Sequence, residues 1–210
     1  MERIEVLNMD TLEGALDLKD NKYNPVLLNM CNGEKRGGFY NLFGGQEEDL
    51  IRRGNYLEHL KKEEYPIKEN CAIYSKNVTF DKKRIKGRYV QVEKRSMCLI
   101  ACHAVKNNLP GIRLNSRNES IMRKKIELIF SLAKRKNHDS LVLSAFGCGG
   151  YRNPPEHISL LFRDAILKWG RYFKIIRFCI FDDNHIKSNF SIFKNVIGKM
   201  QMENETGIKC

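Results

Sequence analysis

The chain of 210 residues contains no apolar run of roughly 18–20 residues, the length a membrane-crossing helix needs, so it has no candidate span. Its first residues, MERIEVLNMD, hold acids and no apolar h-region, so they are not a secretory signal. No two cysteines stand at CxxC spacing. The seven cysteines, at positions 31, 71, 98, 102, 148, 179 and 210, are odd in number and scattered through apolar runs. That pattern excludes a disulfide framework and reads as reduced thiols of an intracellular protein, cytoplasmic or nuclear. A zinc site is not expected: Cys98, Cys102 and His103 are close in sequence, but on one strand they would not converge on an ion. Internal repeats and low-complexity segments are also missing. So is the alternation of aromatic and basic residues typical of single-strand binders.

What the chain has in excess is positive charge. A formal net charge of +12 implies long-range attraction to polyanions, nucleic acid among them. A Lys-rich surface has a blander origin in solubility, so charge alone does not choose the partner. An apolar content of 42% with 30% charged residues describes a globular chain, and its length suits one domain with one core.

Strand and helix patterns alternate along the chain. Arg3–Leu7 reads as a strand. Asp10 caps a helix to about Leu18, with Glu13 at the capping-box position. Pro25–Cys31 has the apolar character of a strand buried on both faces. Gln46–Leu60 reads as one helix, weakened by Gly54. Cys71–Ser75 and Ser96–Val105 read as strands, and between them KKRIKGR (82–88) reads first as a solvated turn, with a localisation signal or a polyanion patch as alternatives. Asn118–Lys136 is amphipathic, with Met122, Ile126, Ile129, Phe130 and Ala133 on one face. Ser140–Ser144 is a buried strand and Pro154–Trp169 a helix, with prolines suited to its first turn. Ile175–Phe181 is a last strand, Lys187–Lys199 a last helix, and 200–210 a frayed tail. Residues 1–199 thus form one α/β sandwich with a mostly parallel sheet.

Two stretches are not explained by this alternation. Gly37-Gly38-Phe39-Tyr40-Asn41-Leu42-Phe43-Gly44-Gly45 leads into Gln46-Glu47-Glu48. Glycine serves where backbone must turn tightly or approach a ligand, and here it borders paired acids. A linker before an acidic helix N-terminus accounts for the same residues. The second stretch, Ala145–Pro155, joins a buried strand to a helix through Gly147-Cys148-Gly149-Gly150-Tyr151. Such a loop offers backbone N–H groups to a phosphate. Two glycine-rich loops, each after a buried strand of one sheet, are hard to ascribe to chance. Asn29 and Asn32, at the end of the Pro25–Cys31 strand, lie where ligands bind in open α/β sheets.

GGFYNLFGGQEE resembles the signature of the microbial-type poly(ADP-ribose) glycohydrolases: a run of three glycines, a spacer, then Gln-Glu-Glu. LVLSAFGCGGYRNPPEHISLLF (141–162) is similar to the same family's strand, Gly-Cys-Gly, aromatic and Asn-Pro-Pro-Glu pattern. IYSKNVTF, CLIACHA and FCIFDDNHIKSNFSIF follow in the family's order. The family carries an N-terminal helical extension, which is not expected in a chain that starts almost at its first strand. Arg36 replaces the first glycine of the run.

The resemblance implies a macrodomain, a three-layer α/β/α sandwich with a mixed, mostly parallel sheet, that binds ADP-ribose. It implies cleavage of ribose–ribose O-glycosidic bonds in poly(ADP-ribose), without metal or cofactor. Gly147, Cys148, Gly149 and Gly150 match the diphosphate loop, with Ser144 just before it and Tyr151 as the aromatic packed on ligand. Asn29, Asn32, Gly37 and Gly38 match the surroundings of the distal ribose. Gln46 and the vicinal acids Glu47 and Glu48 complete the signature, with Glu48 as general acid and Glu47 orienting ribose hydroxyls. Phe181 and Asp182 fall on the adenine side. The implied partners are poly(ADP-ribose) or ADP-ribosylated protein, with nucleic acid open through the basic surface, for a monomer that binds no membrane. A hydrolase of single ADP-ribose units and a non-catalytic reader remain the alternatives. Arg36 is read in two ways: if the family's glycine needs φ > 0, an arginine there costs roughly 1–2 kcal/mol and shifts the loop; the preferred reading has it extended and reaching a substrate phosphate. His157 is read as a surface residue, Trp169 as core, Asp10 as a cap that could touch adenine, and Asp182-Asp183-Asn184-His185 as a strand-end loop rather than a metal cluster.

Overall fold

The computed structural model describes residues 3–39, 44–108, 111–181 and 188–206, the last six as backbone only. Six strands form one sheet in the order β1-β6-β5-β2-β4-β3. They are β1 (Arg3–Leu7), β2 (Pro25–Met30), β3 (Ile73–Ile85), β4 (Arg88–Cys102), β5 (Ser140–Leu143) and β6 (Ile175–Cys179). All neighbours pair in parallel except β3, which runs antiparallel to β4 at one edge. The C-terminal ends of β1, β6, β5, β2 and β4 therefore lie side by side along one edge.

Side-chain alternation on the strands explains the layers. Val26 and Leu28 of β2, Leu141 and Leu143 of β5, and Ile176 and Phe178 of β6 face one way. They pack against α4 (Ser116–Arg135), α5 (Pro155–Trp169) and α6 (Asn189–Thr206). Leu27, Val142 and Cys179 face the other way, toward α1 (Thr11–Asp20), α2 (Gln46–Arg52) and α3 (Tyr56–His59). Strands buried on both faces read as continuous apolar runs for this reason. The expected α/β/α sandwich with a mixed, mostly parallel sheet is what the chain forms. None of its described helices is long and apolar enough to cross a membrane.

Several boundaries differ from the sequence reading. Asp10 caps α1 by accepting from the Glu13 N–H at 3.0 Å, but the Glu13 carboxylate turns away to Arg53 and Lys83 instead of completing the box. The basic run 82–88 is mostly strand: β3 and β4 form a long hairpin that turns at Lys86 and Gly87, both at positive φ. Cys71 lies outside the strand. His157 is buried, where its Nδ1 accepts from the Leu114 N–H at 2.9 Å. Trp169 is half-buried at the rim of the core. The final helix runs on to Thr206, and residues 207–210 lie outside the described residues.

The expected helix 46–60 is two helices because of Gly54. Its Cα is pressed onto the β3 backbone, where a Cβ would run into the Thr79 carbonyl oxygen. The Asn55 N–H donates to that carbonyl at 3.0 Å, and Asn55 Oδ1 accepts from the Thr79 N–H at 2.8 Å. The chain thus leaves α2 to bond an edge strand. Gly54→Ala should lower stability by about 1–3 kcal/mol, the usual cost of forcing an extra carbon into packed structure. Gly149→Ala, where nothing lies within 4 Å of the added carbon, should change it by less than about 0.5 kcal/mol. Urea unfolding of the two variants tests the contrast.

Candidate active site

The carboxyl end of β2 and the start of α2 are fastened together by Gln46. Its Oε1 accepts from the Met30 N–H at 2.8 Å, while its Nε2 donates to the Leu28 carbonyl at 2.9 Å and to Thr11 Oγ1 at 3.0 Å. The amide is fully engaged by protein, so Gln46 positions the acids that follow it. Glu47 then points inward and is only 2% exposed. Its carboxylate accepts from the Asn32 N–H at 2.8 Å and from Asn29 Nδ2 at 3.3 Å. Asn29 Nδ2 also donates to the buried Tyr56 hydroxyl at 2.9 Å.

Glu48 points up toward the glycine loop. One carboxylate oxygen accepts from the Gly45 N–H at 3.0 Å and the other from the Phe39 N–H at 3.1 Å, so it clasps both sides of the 39–45 segment. Gly38 sits directly against the acids at φ 59°, and a Cβ there would lie 2.5 Å from Glu48 and 3.0 Å from Glu47. Only glycine fits such a left-handed position in contact with two carboxylates. Tyr40–Phe43 lie outside the described residues.

The turn before it resolves the Arg36 substitution. Gly38 N–H donates to the Lys35 carbonyl at 2.9 Å, with Gly37 at φ 70° in the third position of the turn. That is the geometry of a type II turn, which tolerates any side chain in the second position. Arg36 occupies the second position without positive φ, so replacing a glycine there carries no left-handed penalty. Its guanidinium donates to the Leu57 carbonyl at 2.7 Å, tying the loop to α3 instead of reaching toward a phosphate. Asn32 Oδ1 accepts from the Glu34 and Lys35 N–H groups and supports the same turn.

Opposite stands the loop after β5. Gly147, at φ 76°, is packed against Asn153 and Ala104, leaving no room for a side chain. Asn153 Nδ2 donates to the carbonyls of Gly147 and Val105, bracing the loop. Gly149 and Gly150 face open space, as a backbone surface meant for a ligand would. The Cys148 thiol is turned inward, and burial pushes its pKa up. Tyr151 leans on the Gly33 backbone and so touches the first loop.

A cleft of about 590 Å³ runs along the strand ends between the loops. Met9, Asp10 and Thr11 line it after β1, Phe181 after β6, and Ser144 and Gly149 after β5; Gly45 and Gln46 close its far wall. Phe181 stands 78% exposed beside it, an aromatic face open to a base. Asp182 and the rest of the Asp182-Asp183-Asn184-His185 stretch lie outside the described residues. Among the described residues no cluster of metal-binding side chains occurs. Sequence reasoning missed two contributors: Tyr56, which supports Asn29 from below, and the hairpin tip, which brings Arg84, Lys86 and Gly87 to the cleft. The basic run was the signal for the second.

Burial raises the Glu47 pKa from its ordinary 4.5 to about 7, with the Glu48 charge adding to the rise and hydrogen bonds from Asn32 and Asn29 opposing it. A carboxyl that holds its proton more tightly when folded stabilises the protein fully below its unfolded pKa. That contribution is lost as pH rises from about 4.5 to about 7. Glu47→Gln, which stays neutral, should gain on the wild type through this window by roughly 3 kcal/mol. Urea midpoints of both proteins from pH 4 to pH 8 measure the difference, and parallel curves would refute the buried neutral acid.

Comparison with known proteins follows the same residues. A family model described as microbial-type PARG, catalytic domain, matches residues 1–83, the part that carries Asn29, the glycine loop and both acids. No curated protein matches the chain. Among solved structures, the poly(ADP-ribose) glycohydrolase of Thermomonospora curvata bound to the inhibitor ADP-HPD is 23% identical. The match covers 92% of this chain and 78% of that one, with a TM-score of 0.80. The poly(ADP-ribose) glycohydrolase of Deinococcus radiodurans in complex with ADP-ribose is 21% identical, over 95% of this chain and 85% of that one, with a TM-score of 0.81. At these identities the likeness establishes a shared fold.

Proposed function

We propose that the chain is a poly(ADP-ribose) glycohydrolase that cuts ribose–ribose O-glycosidic bonds and releases ADP-ribose. The observation that carries this reading is the paired acids, one buried and one clasping a glycine loop, directly after Gly45 and Gln46, which line a cleft of about 590 Å³. Adenine would sit near Phe181 and Asp10, the diphosphate over Gly149 and Gly150, and the distal ribose against Gly38 and the acids. A module that only binds has no need of a carboxyl held at 2% exposure beneath its ligand. This weighs against the reader.

Cleavage of the bond passes through an oxocarbenium-like state and needs a proton on the leaving oxygen. Glu48 delivers that proton, and the same carboxylate then takes one from the attacking water. Glu47 accepts from, or donates to, the ribose hydroxyls according to its own protonation near neutral pH. Two acids in unlike environments are the usual way for such sites to divide these tasks.

The formal charge of +12 favours a polyanionic substrate and leaves nucleic acid as a further partner of the basic surface. Six cysteines without disulfide partners among the described residues suit a protein working inside the cell, in cytoplasm or nucleus.

Glu48→Gln should lower turnover by about 10²–10⁴-fold, the range for a lost general acid, and leave ADP-ribose affinity within a few-fold of wild type. The measurement is release of free ADP-ribose from labelled, automodified polymer, with calorimetry for binding. Full activity in the variant would remove Glu48 from the role. Loss of only the last, protein-linked unit would favour the hydrolase of single ADP-ribose units.

A further inference from the structure

A second cleft, of about 560 Å³, opens at the end of β4, the next strand along the same sheet edge. Its wall toward the acids is Gly33, Glu34 and Tyr151, the very residues that join the two glycine loops. Gly33 is packed so tightly under the His103 ring that a Cβ would lie 2.5 Å from it. In strand order the loop after β2, whose Asn32 holds Glu47, lies between the first cleft and this one, so a linear ligand that continues along the strand ends from the first cleft meets this one next.

The chemistry of this cleft is that of an anion seat. Lys125 forms its floor, 1% exposed and without a carboxylate partner among the described residues. Its ammonium donates to the Glu69 carbonyl at 2.6 Å and meets His103 Nε2 at 3.2 Å. An ammonium has three N–H groups, so one remains to donate. The His103 Nδ1 faces the Ala104 carbonyl at 3.3 Å, and burial together with the Lys125 charge lowers the pKa of the ring, which favours its neutral form. Asn115, Arg117 and Asn118 bring the start of the twenty-residue helix α4 into the same space, and Asn118, Ile121 and Lys125 lie on one face of it. Lys106 and Arg117 stand on the rim without a carboxylate partner among the described residues. Against these cations stand Glu34 and Glu69, so the balance is positive but modest.

We propose that this second cleft seats the diphosphate of the adjoining ADP-ribose unit, the part of the polymer that leaves when the bond beside Glu48 is cut. The inference rests on the glycohydrolase reading. It accounts for what that reading leaves unused: a buried lysine, a neutral histidine and a helix N-terminus gathered just past the acids. The scissile bond then lies at the divide between two seats, one for each unit it joins.

The test is the double variant Lys106→Glu, Arg117→Glu, both on the surface and outside the catalytic loop, compared with wild type on polymer and on free ADP-ribose. The expected result is a rise of about tenfold in KM for polymer, as for loss of charge-assisted phosphate contacts, with ADP-ribose affinity unchanged within about twofold. The salt dependence of kcat/KM should also weaken, since fewer phosphates are neutralised. Unchanged polymer kinetics in an active protein would overturn the second seat alone, as would an equal loss of ADP-ribose affinity. A wild type that releases no ADP-ribose would overturn both this proposal and the reading beneath it.

Discussion

The site depends on one buried carboxyl. Taking an acid out of water is costly unless it is neutral or hydrogen-bonded, and Glu47 is both at different pH. Its two oxygens hold the Asn32 N–H and the Asn29 amide, the two points where the chain leaves β2. Asn32 in turn caps the segment that becomes the Lys35–Gly38 turn. Glu48, one residue on, fastens the far side of that loop through Phe39 and Gly45. The consecutive pair thus does two things at once: it makes the loop and it makes the acid. A glycine at position 38 is the geometric result, since both carboxyls press on it.

The sheet supplies the rest. Because five strands run parallel from β1 to β4, their loops all rise at one edge, and a ligand can run across them in strand order. In strand order come Asp10 after β1, aromatic Phe181 after β6, glycine backbone after β5, the loop after β2 whose Asn32 holds Glu47, and the basic floor of the second cleft after β4. Each of these lies on a different loop, held to its neighbour by side-chain amides such as Gln46 and Asn153.

What could be read in the sequence follows from what burial and glycine impose. The short parallel strands were legible because both faces are buried, and the loops because glycine has few other uses at such density. The Asp10 cap was legible for its local chemistry. The hairpin was not: beyond Asp81 its residues are exposed on both faces, so no apolar run marks them, and lysines mask the strand. Gly54 weakened a helix on paper, yet its true constraint is a carbonyl on a strand that follows later in the chain. His157, Lys125 and Arg53 are polar groups whose burial depends on partners far away in sequence. The same is true of Arg36, whose partner Leu57 turned it from a phosphate ligand into a brace.

Arg53 joins several of these parts. Its guanidinium reaches Asp10 at 2.8 Å, Asp49 at 3.4 Å and Glu13, and its Nε donates to the Lys82 carbonyl at 3.1 Å. Its own carbonyl accepts from the N–H groups of Asp81 and Lys82. One permanently charged side chain therefore stitches the cap of α1, the end of α2 and the root of the hairpin beneath the cleft floor. Asp10, which lines the cleft, and the strands that carry the hairpin tip to it are therefore fastened to one side chain, so a change at Arg53 reaches both.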